Sequence, residues 1–400
     1  MPGPLDGVRV IEVANYLAAP ACAALMADLG ADVVKVEPPD GDIYRGHRTV
    51  RPGDPVSYSF AVDNRGKRSV TLDLGHPRGP EVVRRLCRGA DVLVTNLTPQ
   101  RLRRYGLTFE EVAAEAPRIV FALLTGYGAE GPDAERPGFD GTTFFASSGL
   151  TSLIGERGTP PVQSRPGQGD HMAALNLLAA TLAALRLRDR DGTPQFVDVS
   201  LQQTGVWSVA ADTQLALNRE EWDFEQQDRS THWHLTRNTY ETSDGRWMQL
   251  TMPLPERYWG RFCTAIGRPE WADDERYTST AAMREHGPEL LPEIDAIFRE
   301  HDLASWRERL DDAGCIWSPI ATPFEVVRDP QLRQRGAFER VTQPDGRSYE
   351  VLAAPFKIRG ADIRARGAAP EVGAHTHAVL AEYGFSEPEV AELAAQRVLG

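Results

Sequence analysis

The residues with the plainest chemical potential stand together at Gly169-Asp170-His171-Met172. A carboxylate sits there where a glycine-containing loop, SRPGQG, runs into MAALNLLAATLAALRLRD. From Met172 to Leu187 the residues are nearly all Ala, Leu, Met and Thr, with no Gly or Pro. Such a run predicts a buried helix, apolar almost all round. Asp170 falls in its N-cap slot, where the free N–H groups of the first turn and the helix dipole stabilise negative charge. The expectation is a carboxylate that stays ionised at neutral pH, beside N–H groups able to hold an oxyanion. The same position also suits a plain helix cap, and only the surrounding sequence separates the two.

Basic residues form two clusters beside expected strand–helix junctions. One is Arg65, Lys67 and Arg68, bracketing a glycine; the other is Arg101, Arg103 and Arg104. Each offers donors for phosphate, although single members more often belong to a solvated face. The chain as a whole is acidic, with a net charge of −13 over 400 residues. That argues against nonspecific binding of nucleic acid or anionic membranes. Cys22, Cys87, Cys263 and Cys315 are scattered without a CxxC pair, which fits a reduced compartment and neither a disulfide framework nor a zinc site. His232-Trp233-His234 supplies two histidines without a third ligand nearby, too few for zinc. The start, MPGPLDGVRVIEV, has no charged-then-apolar signal pattern. A cytoplasmic protein is expected.

These residues need a scaffold, and the hydrophobic pattern supplies one. VRVIEV (8–13) reads as a buried strand, PACAALMADL (20–29) as a helix closed by Gly30, and DVVKV (32–36) as a second strand. This β-α-β unit predicts a parallel sheet covered by helices. The first turn, ANYLAAP, lacks GxGxxG, which counts against a dinucleotide. Strands at 69–74, 91–95, IVFALLT and QFVDV (195–199) continue the alternation, with helices at 80–88, 100–105 and 201–218. Residues 38–58 read as a surface loop and 129–170 as a long irregular segment, the kind that is usually functional. Composition shifts after 218. We expect a large domain over 1–218, a linker at 219–239, a small α+β domain over 240–320, and a return to the large domain over 321–400. Hairpins are expected at Asp244-Gly245 and Pro344-Asp345-Gly346.

At this point the chain resembles the class III coenzyme A transferases, the family of formyl-CoA transferase and carnitine CoA-transferase. The resemblance runs through LDGVRVIEV, LGADVVKVEPPDGD, NRGKRSVTLDL, ADVLVTNLTP, LTGYGAEGP and Gly169-Asp170, then DAGCIWSPIATPFEVVRDPQL and APEVGAHTHAVLAEYGFS. It implies an α/β fold: a large domain with a Rossmann-like parallel sheet built from both chain ends, an inserted smaller domain, and an interlocked homodimer. It also implies that Asp170 attacks an acyl-CoA thioester to form an acyl–aspartyl anhydride. CoA thiolate then returns to give an aspartyl-CoA thioester, and an acceptor carboxylate completes the transfer. Coenzyme A is substrate rather than a resident cofactor, and no metal is implied. The family's CoA-binding positions fall on Tyr16, Asn96, Leu97 and Arg104, with Lys67 and Arg68 as possible helpers. His171 and Asp140 are further candidates beside the nucleophile.

Two departures bear on substrate. Formyl-CoA transferases carry Gln where this chain has Leu17, and a glycine-rich loop that has no counterpart near 225–260. Together with Tyr16, Leu17, Phe139, Phe144 and Phe145 as candidate walls, this points to an acid with an apolar body. The rival reading is the α-methylacyl-CoA racemase branch, which needs a Gly-His-Asp piece for its second acid–base group. Here it reads Gly138-Phe139-Asp140, and Phe139 carries no proton. Hydrolysis or isomerisation of an acyl-CoA is a third reading, and a catalytically silent CoA-binding protein a fourth.

Overall fold

The structure is a computed structural model that describes residues 1–46, 54, 56–221 and 228–400. Parts of the loop expected at 38–58 and of the linker at 219–239 lie outside the described residues. The chain divides into two compact units. The first comprises Met1–Leu153, Val162–Glu221 and Pro330–Gly400; the second comprises Ile154–Pro161 and Trp222–Asp329.

The first unit is built on six parallel strands: β1 (Arg9–Val13), β2 (Asp32–Glu37), β3 (Arg68–Thr71), β4 (Val92–Thr95), β5 (Val120–Thr125) and β6 (Gln195–Ser200). Their order is β3-β2-β1-β4-β5-β6. The direction of strand addition therefore reverses between β1 and β4, and ligands of such sheets bind in the crevice at that switch point. The connecting helices are α1 (Ala18–Asp28), α2 (Tyr58–Asn64), α3 (Arg78–Arg88), α4 (Pro99–Tyr105), α5 (Phe109–Glu115) and α6 (Gln168–Asp191).

Alternation along the strands explains why they read as continuous apolar runs. Val10, Val33, Val94, Ala122 and Leu124 point to one face, where Ala and Leu side chains of α1 and α6 cover them. Ile11, Val34, Val70, Leu93 and Phe121 point to the other, against Leu86 of α3, Leu102 of α4 and Val112 of α5. Both faces are buried, as a parallel sheet requires. After β6 come α7 (Leu201–Ser208) and α8 (Ala210–Asn218), so the single helix expected over 201–218 breaks at Val209.

The second unit has its own antiparallel sheet of β7 (Thr239–Glu241), β8 (Trp247–Leu250) and β9 (Trp317–Pro319). Gly245, at φ +71°, makes the β7–β8 turn. Helices α9 (Pro255–Ala265), α10 (Thr280–Phe298) and α11 (Leu303–Asp312) pack an aromatic core on it, with Tyr240 stacked on Phe298 at 4.3 Å. α10 runs on through Pro288 and Pro292 within it. A short helix α12 (Pro323–Val326) ends this unit.

The C-terminal return holds α13 (Pro330–Gln334), the hairpin β10 (Phe338–Thr342) and β11 (Ser348–Leu352), then α14 (Thr376–Glu382) and α15 (Glu387–Ala395). It belongs to the same compact unit as the N-terminal part but adds no strand to the parallel sheet. Instead it covers the β3 edge. The His375 N–H donates to the Ser69 carbonyl at 2.9 Å, and Asp73 N–H to Val398 O at 2.9 Å. Leu380 and Leu393 meanwhile join the outer core. A covered edge cannot pair with another chain.

Lys67 lies deep in this unit, with its side chain fully buried. Its Nζ is 2.6 Å from Glu12 Oε2 and donates to Pro20 O, Asp63 O and Asn64 Oδ1. Lys67→Met would leave Glu12 short of one buried partner. Removing one member of a buried pair costs about 3–5 kcal/mol. We expect a clear drop in the thermal melting midpoint of the variant, measured by circular dichroism; an unchanged midpoint would refute a structural role for this lysine.

Candidate active site

At the switch point, the loops after β1 and β4 are clasped by one side chain. Asn96 Nδ2 donates to Asn15 O at 2.7 Å, and Asn96 Oδ1 accepts from Asn15 N–H at 3.2 Å. The amide expected to bind CoA therefore spends its polar atoms holding the crevice open at a fixed width. Next to it Tyr16 adopts φ +62°, a left-handed conformation that a bulky residue rarely takes. Asp42 supports it by accepting the Tyr16 N–H at 3.2 Å. The result turns the Tyr16 ring toward Phe139, edge-on at 5.4 Å, with Tyr44 at 6.4 Å.

These loops border a cleft of about 670 Å³, and Asp170 is on its wall. Tyr16, Leu17 and Phe139 line it as expected, with Asn15, Arg101 and Arg136. Phe144 and Phe145 do not; both are core residues. Phe144 has a different task. A Cβ on Gly169 would overlap its ring. The glycine before Asp170 thus allows α6 to lie directly on the π-helical turn Gly141–Ala146.

Asp170 is not the N-cap. α6 begins at Gln168, Gly167 is its N-cap at φ +94°, and Asp170 is the third helical residue. Nor is it an ordinary ionised carboxylate. Burial pushes its pKa up to about 7; the nearby Asp140 carboxylate adds to this, His171 pulls it down, and Asp63 raises it further. The expected benefit of the helix N-terminus is outweighed by desolvation and like charge. Asp140 is fixed by accepting the Gly167 N–H at 2.7 Å, which ties the segment before the π turn to the start of α6.

The second basic cluster divides by helix geometry. Arg101 and Arg104 are three residues apart on α4 and share a face. Arg101 lines both the main cleft and an adjoining hollow of about 150 Å³ reached by Leu97 and Tyr105. Arg104 lies beyond, in a cleft of about 330 Å³ with Arg84 and His76. The latter two hollows share Leu74, Gly75 and Tyr105, so a path leads from Asp170 past Arg101 to Arg104. Arg103 points elsewhere and pairs with Glu135. Sequence reasoning placed Arg101 in the basic cluster without separating it from Arg103, which the i, i+3 spacing with Arg104 would have done, and it passed over Arg136.

The first basic cluster does not reach this path. The Lys67 side chain is fully buried. Arg68 opens β3 and therefore lies at the opposite end of a parallel strand from the crevice, bound to Asp32 at 2.6 Å and Glu382 at 2.7 Å. Arg65 is paired with Asp28. These three serve the fold. His234 is buried with Nε2 3.2 Å from Pro253 O, and among the described residues no group of three or more His, Cys, Asp or Glu could hold a metal.

A profile described as CoA-transferase family III matches residues 5–376. The chain is 30% identical over 389 residues to (R)-2-hydroxy-4-methylpentanoate CoA-transferase of Clostridioides difficile, covering 96% of this chain and 97% of that protein. It is also 30% identical over 401 residues to cinnamoyl-CoA:phenyllactate CoA-transferase of Clostridium sporogenes, covering 97% and 95%. The crystal structure of a CAIB/BAIF family protein from Brucella suis superposes with a TM-score of 0.84 at 30% identity, over 96% of this chain and 100% of that one. A Rossmann-ordered sheet with a carboxylate at its crevice is thus the scaffold of an acyl-group enzyme. The chain belongs to CoA-transferase family III and is an acyl-CoA CoA-transferase.

A carboxyl whose folded pKa stands near 7, against an ordinary 3.8, costs stability when it ionises. The folded state binds the proton more tightly than the unfolded state, so this contribution is whole below the ordinary pKa and lost as pH rises through 7. Asp170→Asn removes the cost. The variant should melt above the wild type at pH 8, with the gap closing as pH falls toward 4. A gap of the same size at both pH values would contradict the raised pKa.

Proposed function

We propose that Asp170 is the nucleophile of a covalent CoA transfer from an acyl-CoA to a carboxylic acid. One Asp170 oxygen attacks the thioester carbonyl, the C–S bond breaks, and an acyl–aspartyl anhydride and CoA thiolate result. The thiolate attacks the aspartyl carbonyl, expelling the donor acid and leaving aspartyl-CoA thioester. The acceptor carboxylate attacks that carbonyl, releasing thiolate and forming a second anhydride. Thiolate then attacks the acceptor's acyl carbon, giving the new acyl-CoA and the free Asp170 carboxylate. Each step conserves the activated acyl level, so water must be kept out.

The observation that carries this reading is Asp170 itself: a partly buried carboxylate on the wall of the cleft, at the start of α6. The N–H groups of that first turn precede the helix's own hydrogen bonds and are free to receive an oxyanion. A nucleophile that is costly to ionise in an empty site is reactive once it is ionised. Arg104 with Arg84 suits the phosphate end of CoA, and Arg101 the stretch between. Tyr16 and Leu97 are walls along the route, and Asn96 a brace for it.

The apolar part of the main cleft favours an acid with a hydrocarbon or aromatic body. Tyr16 stands edge-on to Phe139 there with Tyr44 tilted beside it, an aromatic wall against which a further ring could pack. The chain acts as a homodimer in this reading, on the strength of the family resemblance.

The deciding experiment incubates the protein with a panel of acyl-CoAs, quenches with hydroxylamine, and maps the modified residue by mass spectrometry. Hydroxamate at Asp170 is expected, strongest with aryl- or branched-acyl donors. Asp170→Ala should lose turnover while binding CoA with little change. Arg104→Ala should raise the Kd for CoA by roughly tenfold, the loss of one charge-assisted contact. Full turnover by Asp170→Ala would refute the nucleophile.

A further inference from the structure

Asp170 and His171 are consecutive on the first turn of α6, yet they open onto different cavities. Asp170 lines the cleft of about 670 Å³. His171 lines a second cavity, of about 390 Å³, between α1, α2, α6 and the segments around Arg335 and Lys357. His171 is therefore not on the wall of the cleft that Asp170 lines.

Its ring is nevertheless held. His171 Nε2 is 3.0 Å from Asp63 Oδ1. Asp63, next to last in α2, is 1% exposed, and its Oδ2 has no hydrogen-bond partner among the described residues. The other cations close to Asp63 are engaged elsewhere: Lys67 Nζ bonds the Asp63 carbonyl and Glu12, and Arg65 bonds Asp28. His171 is thus the group that answers the buried carboxylate. Burial by itself disfavours the imidazolium, but the hydrogen bond and charge of Asp63 prevail and raise the His171 pKa. The charged groups around the Asp170 carboxyl are then Asp140 before the π turn and Asp63 on α2, both negative, and His171 next to it on α6. Arg101 and Arg136 stand on the cleft wall, and Arg335 and Lys357 on the wall of the second cavity.

We propose that His171, held as an imidazolium by Asp63, is a positioning residue that keeps the Asp170 carboxylate ionised from behind the cleft. The proposal rests on the reading of Asp170 as the nucleophile. A cation placed there offsets two carboxylates without occupying substrate space. Because it opens on its own cavity, His171 keeps its proton when the main cleft is filled and dried by substrate.

The test titrates the Asp170 carboxyl directly, by 13C NMR of protein labelled at the aspartate side-chain carboxyl, with Asp170→Asn to assign the signal. His171→Gln keeps a hydrogen-bond donor for Asp63 and removes the charge. Its midpoint should rise by about one pH unit, the size of a single neighbouring charge. The acid limb of kcat/KM should move by the same amount, so the variant loses about tenfold at pH 6 and recovers at high pH. His171→Lys, which restores a cation, should bring the midpoint back toward the wild type. A structural role would lower activity at all pH values and leave the midpoint alone. An unmoved midpoint in His171→Gln overturns the proposal, as does His171→Lys behaving like His171→Gln. Should His171→Gln not fold, His171→Asn carries the same expectation. The NMR reading needs no turnover. A shifted midpoint in a protein that no acyl-CoA labels would refute the nucleophile reading and leave the electrostatic coupling standing.

Discussion

Glu12 holds two ammonium groups in a place without water. Lys35 lies 2.8 Å from one of its oxygens and Lys67 2.6 Å from the other, and all three side chains are wholly buried. Charges in such a place must be paired on every side. The pairing spreads outward accordingly. Lys35 also holds the Ala14 carbonyl and Asp42; Asp42 holds the Tyr16 N–H; Lys67 holds the carbonyls of Pro20 and Asp63. The exit of β1, the start of α1 and the end of α2 are fixed relative to one another by one carboxylate. The strained turn at Tyr16 and the aim of Asp63 at His171 both follow from it.

The site uses the opposite electrostatic device. Around Glu12 the buried charges of Lys35, Lys67 and Asp42 are paired with one another, and the result is rigidity. In the cleft no cation pairs directly with Asp170 among the described residues, and in the proposed reading the result is reactivity. Burial, Asp140 and Asp63 bring its pKa close to neutrality, while the charge of His171 pulls it the other way. The molecule gives up stability at Asp170 and recovers it nearby, a familiar exchange at functional sites. Gly169 shows how close the fit is: only a residue without a side chain lets α6 rest on Phe144 and present the carboxylate at this depth.

In the proposed reading, binding and chemistry are arranged along one line. Asp170 stands at one end, Arg104 and Arg84 at the other, with Arg101 between them on the same helical face as Arg104. A long ligand with an anionic end and a reactive end suits that line. The aromatic group of Tyr16, Tyr44 and Phe139 borders the reactive end. A net charge of −13 makes these local cations matter more, because nothing in the overall field would draw an anion in.

Much of this was legible in the order of residues. The β-α-β alternation, the apolar runs of a sheet buried on both faces, the hairpin turns at Gly245 and Gly346 and the Gly-Asp pair before a long helix are all local patterns. Local sterics and periodicity decide them, so the chain reveals them without a fold. Charge neighbourhood is not local. Lys67 and Arg68 look like phosphate ligands in sequence, and only folding brings Glu12 to the one and Asp32 and Glu382 to the other. Asp170 looks like an ionised cap, and only folding surrounds it with Asp140 and an apolar wall. Asn96 looks like a ligand contact and turns out to be a brace across the switch point. Phe144 and Phe139 have the same side chain five residues apart, and one is core while the other faces the cleft. The sequence by itself determined the class of fold, the family and the position of the carboxylate. The tertiary structure alone decided which charges are paired and which carboxyl is left beside the cleft, because electrostatic energy depends on distance and solvent rather than on position along the chain.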